Sequence, residues 1–171
     1  DRSKADITIK KAFLKDDSIG KVLSLRYPVL NGVRKKIKIK VEVDSNPPAG
    51  ATVATKYLDF PQAFSIQCKD IASSFAGKCH ALLCRDYIKG RDWYDFVWYM
   101  ARNAEVNYTL LQNALMQQGP WQGQIIDCNP EWLRTHLIDK IESINWKESA
   151  NDVAPFLSEN EQRGLEVWSK D

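Results

Sequence analysis

The stretch that decides the fold is KDIASSFAGKCHALLCRDYIKGRDWYD, residues 69–95. Its pattern predicts a helix from about Asp70 to Arg85, a connection at Lys89-Gly90, and a second helix from about Arg91 to Arg102. The segment before it has the features of β-strands, and the segment after it has those of helices. The order predicts an α+β fold, in which an antiparallel or mixed sheet is followed by a C-terminal helical bundle.

The composition is that of an ordinary globular protein, with 171 residues, 44% hydrophobic and 27% charged. We expect a β-rich part, residues 1–68, and a helical part, residues 69–171, to pack together as one unit. A net charge of +2 does not by itself indicate a nucleic-acid binder. The four cysteines form no CxxC pair and are expected to be reduced thiols in a cytoplasmic protein. No apolar run approaches the ~20 residues that span a bilayer, so no membrane partner is expected.

The clearest strand is Val33 to Asp44, in which apolar and charged side chains alternate. Asn31-Gly32 before it is a strong hairpin signal, because both positions accept the positive φ of a type I′ turn. The other predicted strands are Asp6–Phe13, Gly20–Leu30, Thr52–Leu58 and Phe64–Cys68.

Helix-capping residues divide the second half of the chain. Asn107 predicts the start of a third helix, which Gly119-Pro120 ends. Asn129 with Pro130 predicts a fourth, reaching about Ile144. A short tail, Trp146 to Leu157, then leads to a last helix near 160–169.

One face of the clearest strand carries two carboxylates, Glu42 and Asp44, two residues apart. Such a pair can share a divalent metal, and the lysines before it, including Lys40, can meet phosphates. The alternative is a solvated outer face with alternating charges, which antiparallel sheets commonly show.

The first helix carries Lys78 and Arg85 beside its apolar stripe. Cations covered at such a position need carboxylate or phosphate partners. The alternative is that their stems pack and their charged ends reach water.

The second helix opens with Arg91-Asp92 and carries Asp95 one turn later. Asp92 and Asp95 lie on neighbouring positions of one face, where they can meet the two cations of the first helix. The alternative is capping, since acids at a helix start are favoured by the macrodipole. We expect the apolar residues of this helix to be core: Trp93, Phe96, Val97 and Met100.

The order of these motifs resembles the AbiEii/AbiGii-type nucleotidyltransferase toxin family of type IV toxin–antitoxin and phage abortive-infection systems. That family has an IK-x-E strand, a K-x-x-A-x-x-x-R helix and an RD-x-YD helix start. They read here as residues 39–42, as Lys78 with Ala81 and Arg85, and as residues 91–95.

The resemblance implies a polymerase-β-like nucleotidyltransferase core and transfer of a nucleotide from an NTP, with Mg²⁺, to tRNA or protein. A cognate antitoxin is the implied partner in this bacterial phage-defence system. Among the catalytic residues, Glu42 would lie near the metal, Lys78 would contact the nucleotide phosphates, and Asp92 would be a catalytic or organising acid. For nucleotide binding, the resemblance also implies Lys40 and Arg85. It further implies that Arg85, Arg91 and Asp95 hold the catalytic residues in position.

The sequence departs from the family in its first motif, a glycine-rich turn followed by a strand with the two main metal-binding aspartates. Since that motif is missing and the chain begins at Asp1, we expect a C-terminal portion of an enzyme that is active when full length. Two other hypotheses remain: a non-catalytic module that binds RNA or protein, and a metal-dependent nuclease built on Glu42, Asp44, Asp92 and Asp95.

Overall fold

The computed structural model describes residues 9–15 and 38–169, with side chains described from residue 41 onward. The chain divides into two units by its internal contacts. The described residues of the first are 9–15, 38–47 and 58–64, and those of the second are 48–57 and 65–169. The predicted division at residue 69 stays a prediction.

The first unit contains an antiparallel pair of strands. β1 (Ile9–Lys15) pairs with β2 (Lys38–Asp44), with Ile9 opposite Asp44 and Lys15 opposite Lys38. The predicted strand that ends at Asp44 is thus confirmed over its described part. The predicted strand at 20–30 and the turn at 31–32 lie outside the described residues.

A second pair of strands follows at the predicted positions. β3 (Val53–Leu58) pairs with β4 (Phe64–Lys69). The described strands therefore form two separate two-stranded sheets, where the sequence predicted that the later strands would complete one sheet.

Six α-helices follow the strands in the described part of the chain, which confirms the α+β class. The polymerase-β-like core stays a prediction. The helices are α1 (Ile71–Cys84), α2 (Gly90–Met100), α3 (Tyr108–Gln117), α4 (Pro130–Ser143), α5 (Trp146–Val153) and α6 (Glu159–Arg163), with short 3₁₀ turns at Ala154–Phe156 and Gly164–Val167. None of the described helices is long and apolar enough to cross a membrane.

Side-chain caps fix where several helices begin. The Asp70 carboxylate accepts the Ser73 N–H at 2.7 Å, and the Asn107 and Asn129 side chains accept N–H groups at the starts of α3 and α4. Asn145 caps α5 in the same way, so the predicted tail from Trp146 begins as a helix. These caps satisfy N–H groups that have no partner inside the helix.

The core of the second unit forms around α1. Phe75 and Cys79 are buried on its inner face, together with Leu111 and Leu115 of α3. Phe75 also stacks on Tyr99 of α2, with ring centroids 4.8 Å apart. Burial of these apolar side chains fixes the packing of α1, α2 and α3.

The aromatic helix α2 is buried on one side only. Trp93 is buried and Phe96 packs against the core, as expected. Val97 and Met100 are exposed, so the expectation that they are core is wrong. Val97 and Met100 follow Trp93 by four and seven residues, so all three lie on the same side of the helix. Beyond the first turn of α2, however, this side faces solvent.

Gly90 lets the start of α2 approach α5 closely. A Cβ built at Gly90 would lie 1.9 Å from the Ser149 carbonyl oxygen. The Gly90 N–H donates to Asp152 Oδ2 at 2.9 Å. Gly90 is therefore the first residue of α2 and a packing position, where the sequence had assigned it to a connecting loop.

We expect Gly90→Ala to lower the free energy of unfolding by about 1–3 kcal/mol, because the added methyl group would push α5 away from α2. Gly77→Ala is the matched control. A Cβ at Gly77 meets nothing within 4 Å, so this change should raise the free energy of unfolding by about 0.5–1 kcal/mol. Urea unfolding of both variants measures the difference, and equal effects would contradict the close α2–α5 contact.

Candidate functional site

Two helices position the candidate side chains. Lys78 lies on α1, and Arg85, seven residues later, is the C-cap residue that ends this helix, so the two lie near the same face about two turns apart. Asp92 and Asp95 lie in the first two turns of α2, three residues apart. Because α1 and α2 pack against each other around Phe75, the cations and the acids meet.

These four residues form an ion-pair cluster. Lys78 Nζ lies 3.2 Å from Asp92 Oδ1 and 2.5 Å from Asp95 Oδ2. The Arg85 guanidinium donates to the other Asp92 oxygen, Oδ2. Each carboxylate oxygen of Asp92 therefore holds a different cation.

Burial differs sharply within the ion-pair cluster. The Asp92 side chain is 4% exposed, whereas those of Lys78, Arg85 and Asp95 are 33%, 32% and 43% exposed. A nearly buried carboxylate requires charged or hydrogen-bonding partners, and Asp92 has two. The two cations therefore keep a solvent-facing side.

The start of α2 combines features of both explanations that the sequence left open. Lys89 occupies the N-cap position of α2 and makes no side-chain capping bond. Asp92 is an acid of the first turn, and its carboxylate turns to Lys78 and Arg85. Asp92 is therefore the first-turn acid that the capping alternative describes, and it is also the partner of Lys78 and Arg85. The charged ends of both cations have carboxylate partners as well as contact with water.

A cleft of about 240 Å³ lies beside Arg85 and Asp92. Its lining comes from the end of α1, the connection to α2, the start of α2 and the end of α4: Ala81, Leu82, Arg85, Asp86, Tyr87, Ile88, Lys89, Asp92, Trp93, Lys140, Ser143 and Ile144. Lys140 Nζ donates to the Arg85 carbonyl oxygen at 3.1 Å, which ties α4 to the end of α1. The cleft is thus continuous with the Arg85 side of the ion-pair cluster.

The cleft has a cationic character. Partial burial lowers the pKa of Lys89, and the positive charges of Arg85, Arg91 and Lys78 lower it further, while Asp152 opposes the shift. Like charges disfavour each other's charged forms. A bound anion would relieve this repulsion.

Burial disfavours the thiolate forms of two cysteines near the site, Cys79 and Cys84. Burial raises the pKa of Cys84, at the end of α1, to about 11, and that of Cys79 to about 12. Since the thiolate is the nucleophile, neither sulfur is suited to covalent chemistry at neutral pH.

The other three predicted site residues occupy β2 and the exposed side of α2. Lys40 and Glu42 belong to β2, in the first unit, and Glu42 is exposed. Arg91 is exposed on α2, with its guanidinium carbon 4.5 Å from the centre of the Phe156 ring. The roles predicted for these three residues, and the metal predicted at Glu42, stay predictions.

The sequence did not indicate several residues that build the site. Lys89 and Tyr87 stand in the predicted connection and line the cleft. Lys140 reaches Arg85 from 55 residues away, and Asp152 reaches Gly90 from 62 residues away. The one local feature that could have indicated these residues is the glycine of the Lys89-Gly90-Arg91 triplet. Glycine is typical of positions that another backbone segment or a ligand approaches closely.

The acids of the ion-pair cluster do not fit a magnesium site. Mg²⁺ prefers carboxylate oxygens that are free to coordinate it, together with water and phosphates. Both Asp92 oxygens and an Asp95 oxygen are held by cations. Across residues 9–15 and 38–169, no group of three or more His, Cys, Asp or Glu side chains is placed to hold a metal ion.

Comparison with known proteins gives one match. The family model described as nucleotidyl transferase AbiEii toxin, type IV TA system, matches residues 2–169. Searches of the curated proteins and of the solved structures find no match.

We expect Asp92→Asn to lower the free energy of unfolding by about 1–3 kcal/mol, because it removes the charge that pairs with both Lys78 and Arg85. Asp95→Asn is the matched change at an exposed partner of Lys78 and should cost less than about 1 kcal/mol. Urea unfolding measures both. If both variants lowered the free energy of unfolding equally, the burial of Asp92 would add nothing to the stability that its ion pairs provide.

Proposed function

The chain belongs to the family of AbiEii nucleotidyl transferase toxins of type IV toxin–antitoxin systems, and we propose that its ion-pair cluster binds the NTP of the transfer reaction. The acceptor is tRNA or a protein, and the reaction serves phage defence in the bacterial cytoplasm. A cognate antitoxin is the partner that such a system implies.

One observation carries the assignment of the site. The K-x-x-A-x-x-x-R and RD-x-YD motifs lie on different helices, and their charged residues meet in a single cluster with one nearly buried acid. A purely structural ion pair needs only one cation and one acid. Here a buried acid orients two cations that remain partly exposed, which is the arrangement expected of an anion-binding site.

The chemistry of nucleotidyl transfer explains why the cations are needed. The oxygen of an acceptor hydroxyl forms a bond to the α-phosphorus of the NTP, and the hydroxyl proton passes to water. The bond between the α-phosphorus and the oxygen that bridges to the β-phosphate breaks, and pyrophosphate leaves. Negative charge grows on the leaving phosphates in the transition state. Preorganised cations aimed at these oxygens stabilise it without further reorganisation.

Lys78 is the residue we assign to the phosphates. Asp92 and Asp95 hold its ammonium group from one side, at 3.2 and 2.5 Å, and its side chain is 33% exposed. An ammonium group has three N–H donors, so one remains for a phosphate oxygen. Asp92 acts as the organising acid, since its two oxygens set the positions of Lys78 and Arg85.

Glu42, Lys40 and Mg²⁺ enter this proposal from the family resemblance alone. Magnesium would neutralise phosphate charge and polarise the α-phosphoryl group when bound. The acids of the ion-pair cluster do not supply its ligands, so Glu42 remains the residue proposed for it. Arg91 and Asp95 are proposed to brace the site.

The pairing of Asp92 also weighs against the nuclease hypothesis. That hypothesis needs Asp92 and Asp95 as metal ligands, and both are occupied by Lys78. The labelling experiment below distinguishes a nucleotidyltransferase from the other hypothesis, a module that binds RNA or protein without catalysis.

We expect Lys78→Ala and Asp92→Ala each to lower the transfer of label from an α-³²P-labelled NTP into tRNA or protein by about 100-fold or more, because each removes or misplaces a phosphate-binding cation. The assay uses the protein expressed from its native reading frame. Lys147→Ala is the control, since Lys147 is exposed on α5 and lies outside the ion-pair cluster.

Circular dichroism and the thermal midpoint of each variant establish that it is folded. Wild-type labelling by folded Lys78→Ala would overturn the assignment of the phosphate site. Loss of folding in Asp92→Ala with normal labelling in Asp92→Asn would reduce Asp92 to a structural role.

A further inference from the structure

We propose that Asp152 of α5 is a positioning residue for the transfer reaction: its carboxylate holds the first turn of α2, and through that turn it sets where Asp92 holds Lys78. The inference rests on the proposed function, because it takes Lys78 as the residue that meets the phosphates of the NTP.

The start of α2 has no cap from its own segment. Lys89 stands at the N-cap position, and its side chain makes no capping hydrogen bond. The first N–H groups of a helix have no partner inside the helix and need one from outside. Asp152 Oδ2 accepts the Gly90 N–H at 2.9 Å, so a side chain from 62 residues later in the chain caps this helix.

A carboxylate suits this position better than a neutral group. A hydrogen bond from a backbone N–H to a carboxylate is charge-assisted, and the positive end of the helix dipole adds to the attraction. Burial and three neighbouring cations lower the pKa of Lys89, whereas the negative charge of Asp152 raises it. The Asp152 carboxylate therefore acts on the ammonium group of Lys89 as well as on the helix start.

The segment that carries Asp152 also contacts the side chains of this turn. The Phe156 ring centroid lies 4.5 Å from the guanidinium carbon of Arg91. The Trp146 ring meets Trp93 edge-on, with ring centroids 5.3 Å apart. One continuous segment, from α5 to the 3₁₀ turn after it, therefore holds the first turn of α2 from one side.

Asp92 links the same turn to α1. It lies two residues after Gly90 and pairs with Lys78 and Arg85. Its Oδ1 is 3.2 Å from Lys78 Nζ, which is close to the upper limit of a hydrogen bond. A displacement of the turn by about 1 Å would break this bond.

Such a displacement affects the rate of transfer more than the binding of substrate. Lys78 would keep its positive charge and would still attract an NTP. Stabilisation of the leaving phosphates requires an ammonium group that is already in place, and a misplacement of about 1 Å costs up to about 100-fold in rate. Loss of the Asp152 carboxylate should therefore lower kcat with little change in KM.

The fold itself has other supports at this contact. Asp152 is exposed on α5, whereas Val153 beside it is 1% exposed and Trp146 packs against the core. These apolar contacts keep α5 against α2 when the carboxylate is removed. A variant at Asp152 is thus expected to fold and to differ from wild type in the position of the first turn.

The first test measures the labelling reaction of the full chain at varied NTP concentration. Asp152→Ala should lower kcat by about 10- to 100-fold and change the KM for NTP by less than about threefold. Asp152→Asn keeps a side-chain oxygen that can accept the Gly90 N–H, so it should recover kcat to within about threefold of wild type. Circular dichroism establishes that each variant is folded.

Asp139→Asn is the matched control for the loss of an acid. Asp139 is exposed on α4 and lies outside the ion-pair cluster. This variant should change neither kcat nor KM by more than about twofold.

The second test measures the cap without reference to activity. Lys89-Gly90 is the only Lys–Gly pair of the sequence, so lysine labelled with ¹³C at its carbonyl and glycine labelled with ¹⁵N select the Gly90 amide in an NMR spectrum. Hydrogen exchange of this amide should be about tenfold faster in Asp152→Ala, because its acceptor is gone, and close to the wild-type rate in Asp152→Asn.

The outcomes separate this inference from the proposed function. Unchanged exchange in Asp152→Ala, or an unchanged kcat in that variant while Lys78→Ala loses labelling, would overturn the positioning role and leave the phosphate site in place. A low kcat in Asp152→Asn with normal exchange of the Gly90 amide would also overturn it. Faster exchange and a lower kcat in Asp152→Ala, with wild-type labelling by folded Lys78→Ala, would instead overturn the assignment of the phosphates to Lys78.

Discussion

One buried carboxylate joins the end of α1 to the start of α2. Asp92 is 4% exposed and holds Lys78 on one oxygen and Arg85 on the other. An isolated charge at this depth would be strongly unfavourable, so α1 and α2 can pack only in the register that brings all three together. The apolar contacts around Phe75 stabilise the pair of helices, while Asp92 selects how they face each other.

That register also determines what the surface presents. Because the Asp92 carboxylate pairs with both Lys78 and Arg85, the two cations can lie near each other while about a third of each side chain stays exposed. Cations that were not held in this way would move apart, since like charges repel. Two of the cations that lower the pKa of Lys89, Arg85 and Lys78, are the ones that Asp92 holds in place.

Local sequence patterns were sufficient for features that depend on neighbours in the chain. Asp70, Asn107 and Asn129 bond to N–H groups three residues later, so their positions mark the helix starts directly. The seven-residue spacing of Lys78 and Arg85 similarly indicated one helix face.

The exposure of Val97 and Met100 was not foreseen, because it depends on how α2 packs against α1 and α5 and not on the composition of α2 itself. Lys140 and Asp152 were missed because they contact the site from distant segments whose local pattern is that of ordinary helices.

The bond between the Gly90 N–H and Asp152 joins positions 62 residues apart. At the usual pace of translation, about 5–20 residues per second, the segment with Asp152 is made roughly 3–12 s after Gly90. Over that interval the nascent chain carries the motif residues of α1 and α2 but lacks Asp152 of α5, and for most of it the chain also lacks Lys140 of α4. Assembly of the site is therefore a late event in the synthesis of the chain, and it is coupled to docking of the C-terminal helices.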